Sequence, residues 1–314
     1  MNTVHNMFSN ASAVQGLRDG GYGDADFDIE VAPLTYSTEE RCDIPSSKSV
    51  IYRTDNSAEL GIHGHGYKPV APKHMIDNTR NILERSDLNT TGISEQIRTS
   101  HDGARCFVQY NLPAHTYETG DGDRASLSLL STSSFDGTWP FMISVAAIQS
   151  ACTNLQVFIS GEVAIYKAKH TQSLDIEHGA NIIVKSLDVF NNERELWKAW
   201  QGTQVRDMEA FNFFTDALDV KLKSGFTLST PADLLNSLPR RNENLNYIWR
   251  MYDSIYRNRL GANWWAVYNA MTDWSTHFGA VRQSSERNIA SIQNERQQVI
   301  RKAIKSEPVL RLAA

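Results

Sequence analysis

Residues 48–72 read KSVIYRTDNSAELGIHGHGYKPVAP, and this stretch decides how the N-terminal half of the chain folds. Two β-prone runs, residues 50–54 and 58–63, stand on either side of Asp55, Asn56 and Ser57. These three residue types favour tight turns because their short polar side chains bond the local backbone. The pattern therefore predicts a β-hairpin.

The same stretch resembles a phosphate-binding loop without meeting its requirements. Gly61 and Gly66 have the spacing of the loop glycines, but Tyr67 stands where the loop lysine belongs. Pro69 blocks the helix whose first amides would bind a phosphate. We therefore interpret the stretch as a polar hairpin that carries no recognisable catalytic motif.

The hydrophobic period changes once along the chain. Helix 73–85 and loop 88–96 are predicted after the hairpin, then strands at 105–112, 124–131, 140–145 and 162–169, with a short helix at 146–154. From Leu174 the period is helical, with helices predicted at 178–201, 203–223, 231–237, 243–259, 263–278 and 283–305. The predicted fold class is α+β, a mostly antiparallel sheet (hairpin–helix–strands) followed by a largely helical C-terminal half.

Three segments are expected along the chain. Residues 1–45 are predicted to be a disordered acidic arm, because residues 1–50 carry eight acidic and three basic side chains and few periodic apolar ones. Residues 46–173 are predicted to form a β-rich core with the hairpin and its helix. Residues 174–314 are expected to be helical and to pack on that core as one domain.

Charge and cysteine content limit the possible partners and environment. The net charge of −5 gives no general attraction to nucleic acid, so any such binding needs a local patch. The three cysteines form no CxxC pair, which is typical of a reducing cytosol without a disulfide framework. The longest apolar stretch, around residues 139–148, is too short to span a bilayer.

Two histidines of the hairpin allow a metal hypothesis. His63 and His65 share a face if the strand continues through them, and zinc sites use such spacings. Gly64 and Gly66 favour a bend there, and no third ligand is fixed by spacing. Polar hairpin residues are therefore the preferred interpretation, and we assign no metal, cofactor or catalytic residue.

The helix predicted at 263–278 has the strongest local pattern of the chain. Trp264, Tyr268 and Met271 recur on one face and are predicted to be core residues. On another face, Asn269, Asp273 and His277 repeat at i, i+4 and i+8. That polar row is either a network against a neighbouring element or a functional site.

Several segments, taken in their order, resemble a known family. They are the hairpin YRTDNSAELGIHGHGYKPV, LLSTSSFDG at 129–137, ACTNL at 151–155, KHTQS at 169–173 and WAVYNAMTDWSTH at 265–277. In this order they resemble phage/plasmid-like proteins built on a domain of unknown function. The chain departs from that family at Phe135, where histidine is usual, so no role of that histidine carries over. The element order also resembles that of RecT-type phage single-strand annealing proteins.

The resemblance leads to a functional expectation. It implies a phage- or plasmid-encoded single-stranded DNA-binding protein of the bacterial host cytoplasm, a homo-oligomer that anneals strands in recombination or replication without ATP. The residues expected to bind nucleic acid are Arg53, Tyr67, Lys68, Lys73, Arg80 and Arg105, which lie on the hairpin, its helix and the next strand.

Two alternatives stay open at this point. One is a non-catalytic structural or host-interaction protein of a phage, which the overall acidity favours. The other is a metal-dependent enzyme that uses His63 and His65, for which the sequence locates no convergent acids.

Overall fold

The computed structural model describes residues 2–118, 122, 124–149, 155–156, 165–168, 176–221, 230–237, 242–279 and 289–307. Its strands are β1 (Ile29–Tyr36), β2 (Ile44–Arg53), β3 (Glu59–Gly64), β4 (Ser94–Ser100), β5 (Arg105–Glu118), β6 (Arg124–Ser134), β7 (Phe141–Gln149), β8 (Leu155–Gln156) and β9 (Ile165–Ala168). Its helices are α1 (Asn2–Asp19), α2 (Pro72–Arg85), α3 (Ile176–Gly202), α4 (Asp207–Ala217), α5 (Pro231–Ser237), α6 (Glu243–Met251), α7 (Arg257–Leu260), α8 (Trp264–His277) and α9 (Ile289–Ser306).

The strands form two sheets. The first has the order β1-β2-β3, and both of its pairings are antiparallel. The second has the order β4-β5-β6-β7-β8, with β9 also paired to β7. Helices account for most of the described chain after residue 176. The predicted α+β class, the hairpin and the helix after it are therefore confirmed.

Two predicted local structures are wrong. Strand β4 begins at Ser94, inside the loop expected at residues 88–96, and β7 continues to Gln149, whereas a helix was expected from residue 146. Strand β4 gives no period-two hydrophobic signal because its partly buried side chains include Glu95 and Thr99. Residues 150–154 of the predicted helix lie outside the described part of the chain, as does the KHTQS segment.

The N-terminal 45 residues differ from the disordered arm that was predicted. They contain α1 and β1, and β1 pairs along β2 from Ile29 opposite Arg53 to Tyr36 opposite Ile44. The Asn10 amide donates to the carbonyl oxygens of Ser86 and Leu88, at 2.9 and 2.8 Å. These polar anchors, the pairing of β1 and a few widely spaced buried residues, Val14, Ala25 and Phe27, order the segment without a periodic apolar face, which explains why its composition suggested disorder.

The chain folds into two compact units, each built from separate segments. Unit 1 comprises Met1–His115, Leu127–Val145 and Ala164–Leu187, and unit 2 comprises Thr116–Ser126, Ala146–Val163 and Asp188–Ala314. The boundaries predicted at residues 46 and 174 stay predictions about domain organisation. Among the helices that the structure describes, none combines the length and the apolar composition needed to cross a membrane.

Unit 1 contains a small apolar cluster beneath the hairpin. Its buried members are Phe27, Ile51, Leu60, Ala104 and Phe135. A register shift opposite Ile51 and Tyr52 turns Leu60 and Gly61 towards this cluster. A Cβ atom at position 61 would overlap the carbonyl oxygen of Phe135. Only glycine therefore allows the hairpin to lie this close to the turn after β6.

Unit 2 has a core dominated by aromatic rings. The predicted core residues Trp264, Tyr268 and Met271 are all buried, which confirms the interpretation of this helix. Asn263 caps α8, since its side-chain oxygen accepts from the Ala266 amide at 2.9 Å. The Tyr268 ring packs 5.0 Å from Trp200, and such offset or tilted pairs stabilise beyond their buried area.

Candidate functional site

Two cations of the predicted nucleic-acid site are engaged by carboxylates beside the hairpin. The Arg53 guanidinium lies 2.6 Å from Asp55 and packs 4.0 Å above the Phe27 ring. The Lys73 ammonium lies 3.3 Å from a carboxylate oxygen of Asp26 and 3.0 Å from one of Asp28. Each positive charge therefore meets a negative partner within unit 1.

Two further cations of that set are buried. Arg80 is 0% exposed and contacts both oxygens of Glu95, at 3.0 and 2.5 Å. Burial opposes its charge, yet the Glu95 carboxylate holds the pKa of Arg80 above its usual value. Arg105 is also buried, and its Nε lies 2.5 Å from Asp136. Both guanidinium groups are therefore held in ion pairs within unit 1.

The remaining two residues of the set differ in exposure. The Tyr67 ring stacks 3.9 Å from the His63 ring, and its hydroxyl donates to the Ser134 carbonyl at 3.1 Å. Burial raises the pKa of Tyr67 to about 12. Lys68 is exposed and has no ion-pair partner in the described chain. A nucleic-acid role for the six residues stays a prediction.

The two hairpin histidines have separate partners. His63 donates from Nε2 to the Phe135 carbonyl, whereas His65 Nδ1 shares a hydrogen bond with the Ser49 hydroxyl at 3.3 Å. Over the ranges that the structure describes, no three histidine, cysteine or acidic side chains come together as a metal site. The metal hypothesis thus gains no third ligand from the fold.

An open groove in unit 2 is lined by aromatic and polar side chains. It has a volume of about 540 Å³ and lies between α5, α6 and the residue after α8. Its lining residues are Ala232, Leu235, Asn236, Glu243, Asn246, Tyr247, Trp249, Arg250 and Phe278. We call this feature the aromatic groove.

The sequence of α6 explains how the groove is formed. Leu245, Ile248 and Trp249 recur at i, i+3 and i+4 and are buried, which leaves the opposite face of the helix towards solvent. Tyr247 is half-buried on the groove side, and its ring lies 4.6 Å from Phe278. The exposed Arg250 places its guanidinium carbon 5.7 Å from the Tyr247 ring. The groove thus offers ring faces with a cation beside them.

A buried carboxylate fixes one wall of the aromatic groove. Asp273 is 6% exposed and accepts from the hydroxyls of Tyr247 and Tyr256, at 2.5 and 2.8 Å. Tyr256 belongs to a π-helical turn, Tyr252–Tyr256, that joins α6 to α7. Burial opposes ionisation, but the nearby His277 imidazole and the hydrogen bonds from the two phenols hold the pKa of Asp273 below its usual value.

The polar row on α8 can now be interpreted. Asn269 donates to the Trp265 carbonyl at 2.8 Å, and Asp273 lies 3.8 Å from His277. The row is therefore a structural network, and Tyr247 connects it to the aromatic groove. Sequence reasoning missed this groove because its rings lie in separate helices. The one available signal was the pairing of Tyr247 with Arg250 at i, i+3.

Comparison with known proteins assigns the chain to a family. A family model described as Domain of unknown function (DUF932) matches residues 59–295, so the chain belongs to that family. The matched region includes the hairpin strand β3, α2, and the helices α5, α6 and α8 that surround the groove. No curated protein and no solved structure matches the chain.

Proposed function

We propose that this chain binds single-stranded nucleic acid and that bases stack in the aromatic groove. The observation that carries the proposal is the arrangement of Tyr247, Phe278 and Arg250 on one open surface of unit 2. Proteins that bind single strands combine aromatic faces for bases with cations for the backbone. The groove supplies both, because Tyr247 and Arg250 lie on α6 and Phe278 follows α8.

The energetics favour base stacking over phosphate contacts. Each stacked base contributes about 1–3 kcal/mol to the binding free energy, whichever base it is. Among the described residues that line the groove, the charged ones are Arg250 and Glu243, whose charges balance. The chain as a whole is acidic, and four of the cations expected to bind DNA are paired with carboxylates. We therefore expect moderate affinity with weak salt dependence.

Fluorescence anisotropy of a labelled oligonucleotide tests this function. Phe278→Ala should weaken binding by about 1–3 kcal/mol and leave the salt dependence unchanged, because it removes a ring without charge. Arg250→Ala should flatten the slope of log affinity against log salt by about 0.7, the value for one phosphate contact on a single strand. Lys198→Ala removes another exposed charge of unit 2 and should change neither quantity.

Two results would contradict the proposal. Absence of binding by the wild-type protein at low salt removes it outright. A loss caused by Lys68→Ala, with the groove variants unaffected, would instead place the strand on the hairpin, as the sequence first suggested.

The broader biological setting forms part of the same proposal. Phage or plasmid origin, strand annealing without ATP, self-assembly and the bacterial cytoplasm rest on the order of the family-like segments. The recombination role can be tested directly with two complementary strands that carry different dyes. Energy transfer between the dyes measures their annealing by the protein in the absence of ATP.

A second candidate function is protein interaction through the three-stranded sheet. Val50 lies opposite Ala32 in one neighbouring strand and Ile62 in the other, and Ile62 is 44% exposed. An apolar row of this kind favours a protein partner or a second copy of the chain. Ile62→Lys should convert any oligomer seen by light scattering into monomer. An unchanged mass would remove this sheet from consideration.

A further inference from the structure

We infer that the aromatic groove prefers bases that carry an exocyclic amino group over uracil and thymine, which carry none. This inference rests on the proposed function and specifies which strands that function selects. It is carried by the polar side chains that line the groove beside the rings, Glu243, Asn236 and Asn246.

The carboxylate of Glu243 discriminates by hydrogen-bond chemistry. An ionised carboxylate only accepts hydrogen bonds, so it pairs with an amino donor and is repelled by a carbonyl. Cytosine presents an amino group where uracil presents a carbonyl oxygen, and carboxylates are the side chains that accept from that group. An asparagine amide forms a two-point pair with adenine, and the groove has two exposed asparagines.

The order of residues along α6 gives the bound nucleotide a direction. Glu243, Tyr247 and Arg250 follow at i, i+4 and i+7 and so share one face of the helix. A helix rises 1.5 Å per residue, so the carboxylate and the guanidinium are about 10 Å apart along its axis. Glu243 repels phosphate and accepts a hydrogen bond from the base edge. The Tyr247 ring stacks on the base, and Arg250 binds the phosphate.

The experiment compares deoxycytidine and deoxyuridine oligonucleotides of equal length by fluorescence anisotropy. The two have the same charge and nearly the same stacking surface, and they differ in the amino group. The wild-type protein should bind the cytidine strand at least about threefold more tightly, the effect of one net hydrogen bond. Glu243→Gln should abolish that ratio, because glutamine both donates and accepts.

Controls separate this inference from the proposed function. Glu195→Gln makes the same charge change at another exposed position of unit 2 and should keep the cytidine preference. Thermal unfolding of each variant confirms that it folds. Failure of every strand to bind removes the proposed function itself. Equal binding of both strands by the wild type, or a preference that survives in Glu243→Gln, overturns the base preference alone.

Discussion

The hydroxyl of Tyr247 donates to Asp273 at 2.5 Å, and this bond connects the aromatic groove to the buried centre of unit 2. The other oxygen of the same carboxylate accepts from Tyr256 at 2.8 Å. The two tyrosines therefore make equivalent bonds, but of the two only Tyr247 lines the groove. This difference makes them a matched pair for mutation.

Tyr247→Phe and Tyr256→Phe should lower the free energy of unfolding by similar amounts, about 1.5–3 kcal/mol each, because each removes one hydrogen bond to a charged group. Only Tyr247→Phe should also weaken oligonucleotide binding, since it frees a ring in the groove wall to reorient. Urea unfolding and anisotropy on the same samples measure both effects. Equal affinities of the two variants would show that Asp273 stabilises the fold without positioning the groove.

The free energy of unfolding should decrease in acid, because Asp273 becomes protonated. Its pKa is lowered in the folded state, so its contribution is fully present above the unfolded pKa of about 3.9 and is lost as pH falls through the folded value. The urea midpoint of the wild type should therefore decline more steeply below about pH 4 than that of Asp273→Asn. Parallel curves for the two proteins would show that other carboxylates cause the acid loss.

Arg80→Ala should destabilise unit 1 severely. It leaves the Glu95 carboxylate buried without its cation, and breaking such a pair costs about 3–5 kcal/mol. Lys68→Ala, at an exposed position, should stay within about 0.5 kcal/mol of the wild type. Denaturant unfolding measures both changes. An Arg80 variant that keeps its stability but loses oligonucleotide binding would restore the sequence-based assignment of this residue.

Asn10→Ala tests whether the N-terminal helix is part of the fold. The buried Asn10 side chain donates to two carbonyls and accepts from Thr90, so its loss leaves several buried groups without partners. We expect more than about 2 kcal/mol of destabilisation. A melting temperature equal to that of the wild type would mean that the Asn10 anchor of α1 adds nothing to the stability of the fold.

Local patterns allowed part of the fold to be predicted. The turn residues 55–57 predicted the hairpin, and the apolar periods predicted α2 and α8, because each of these signals lies within a few neighbouring residues. Strand β4 has no such signal, since Glu95 occupies an inward position as the partner of Arg80. An ion pair between residues 15 positions apart is invisible to a periodicity argument.

The candidate site was harder to predict for the same reason. Its rings are Tyr247 and Phe278, which come together only when α6 and α8 pack. The basic residues were visible in the sequence, but their partners Asp55, Glu95 and Asp136 were not. A cation's availability for a ligand depends on tertiary contacts, so counting charges in the sequence does not show which cations a ligand can reach.

The close approach of Gly61 to the Phe135 carbonyl has an evolutionary consequence. Because no side chain fits at position 61 while the turn after β6 keeps its place, neither segment is free to drift alone. Among relatives, a larger residue at this position should be accompanied by a displaced or rebuilt turn. The hairpin and that turn are therefore expected to be inherited as a matched set, and chimaeras that exchange one without the other should misfold.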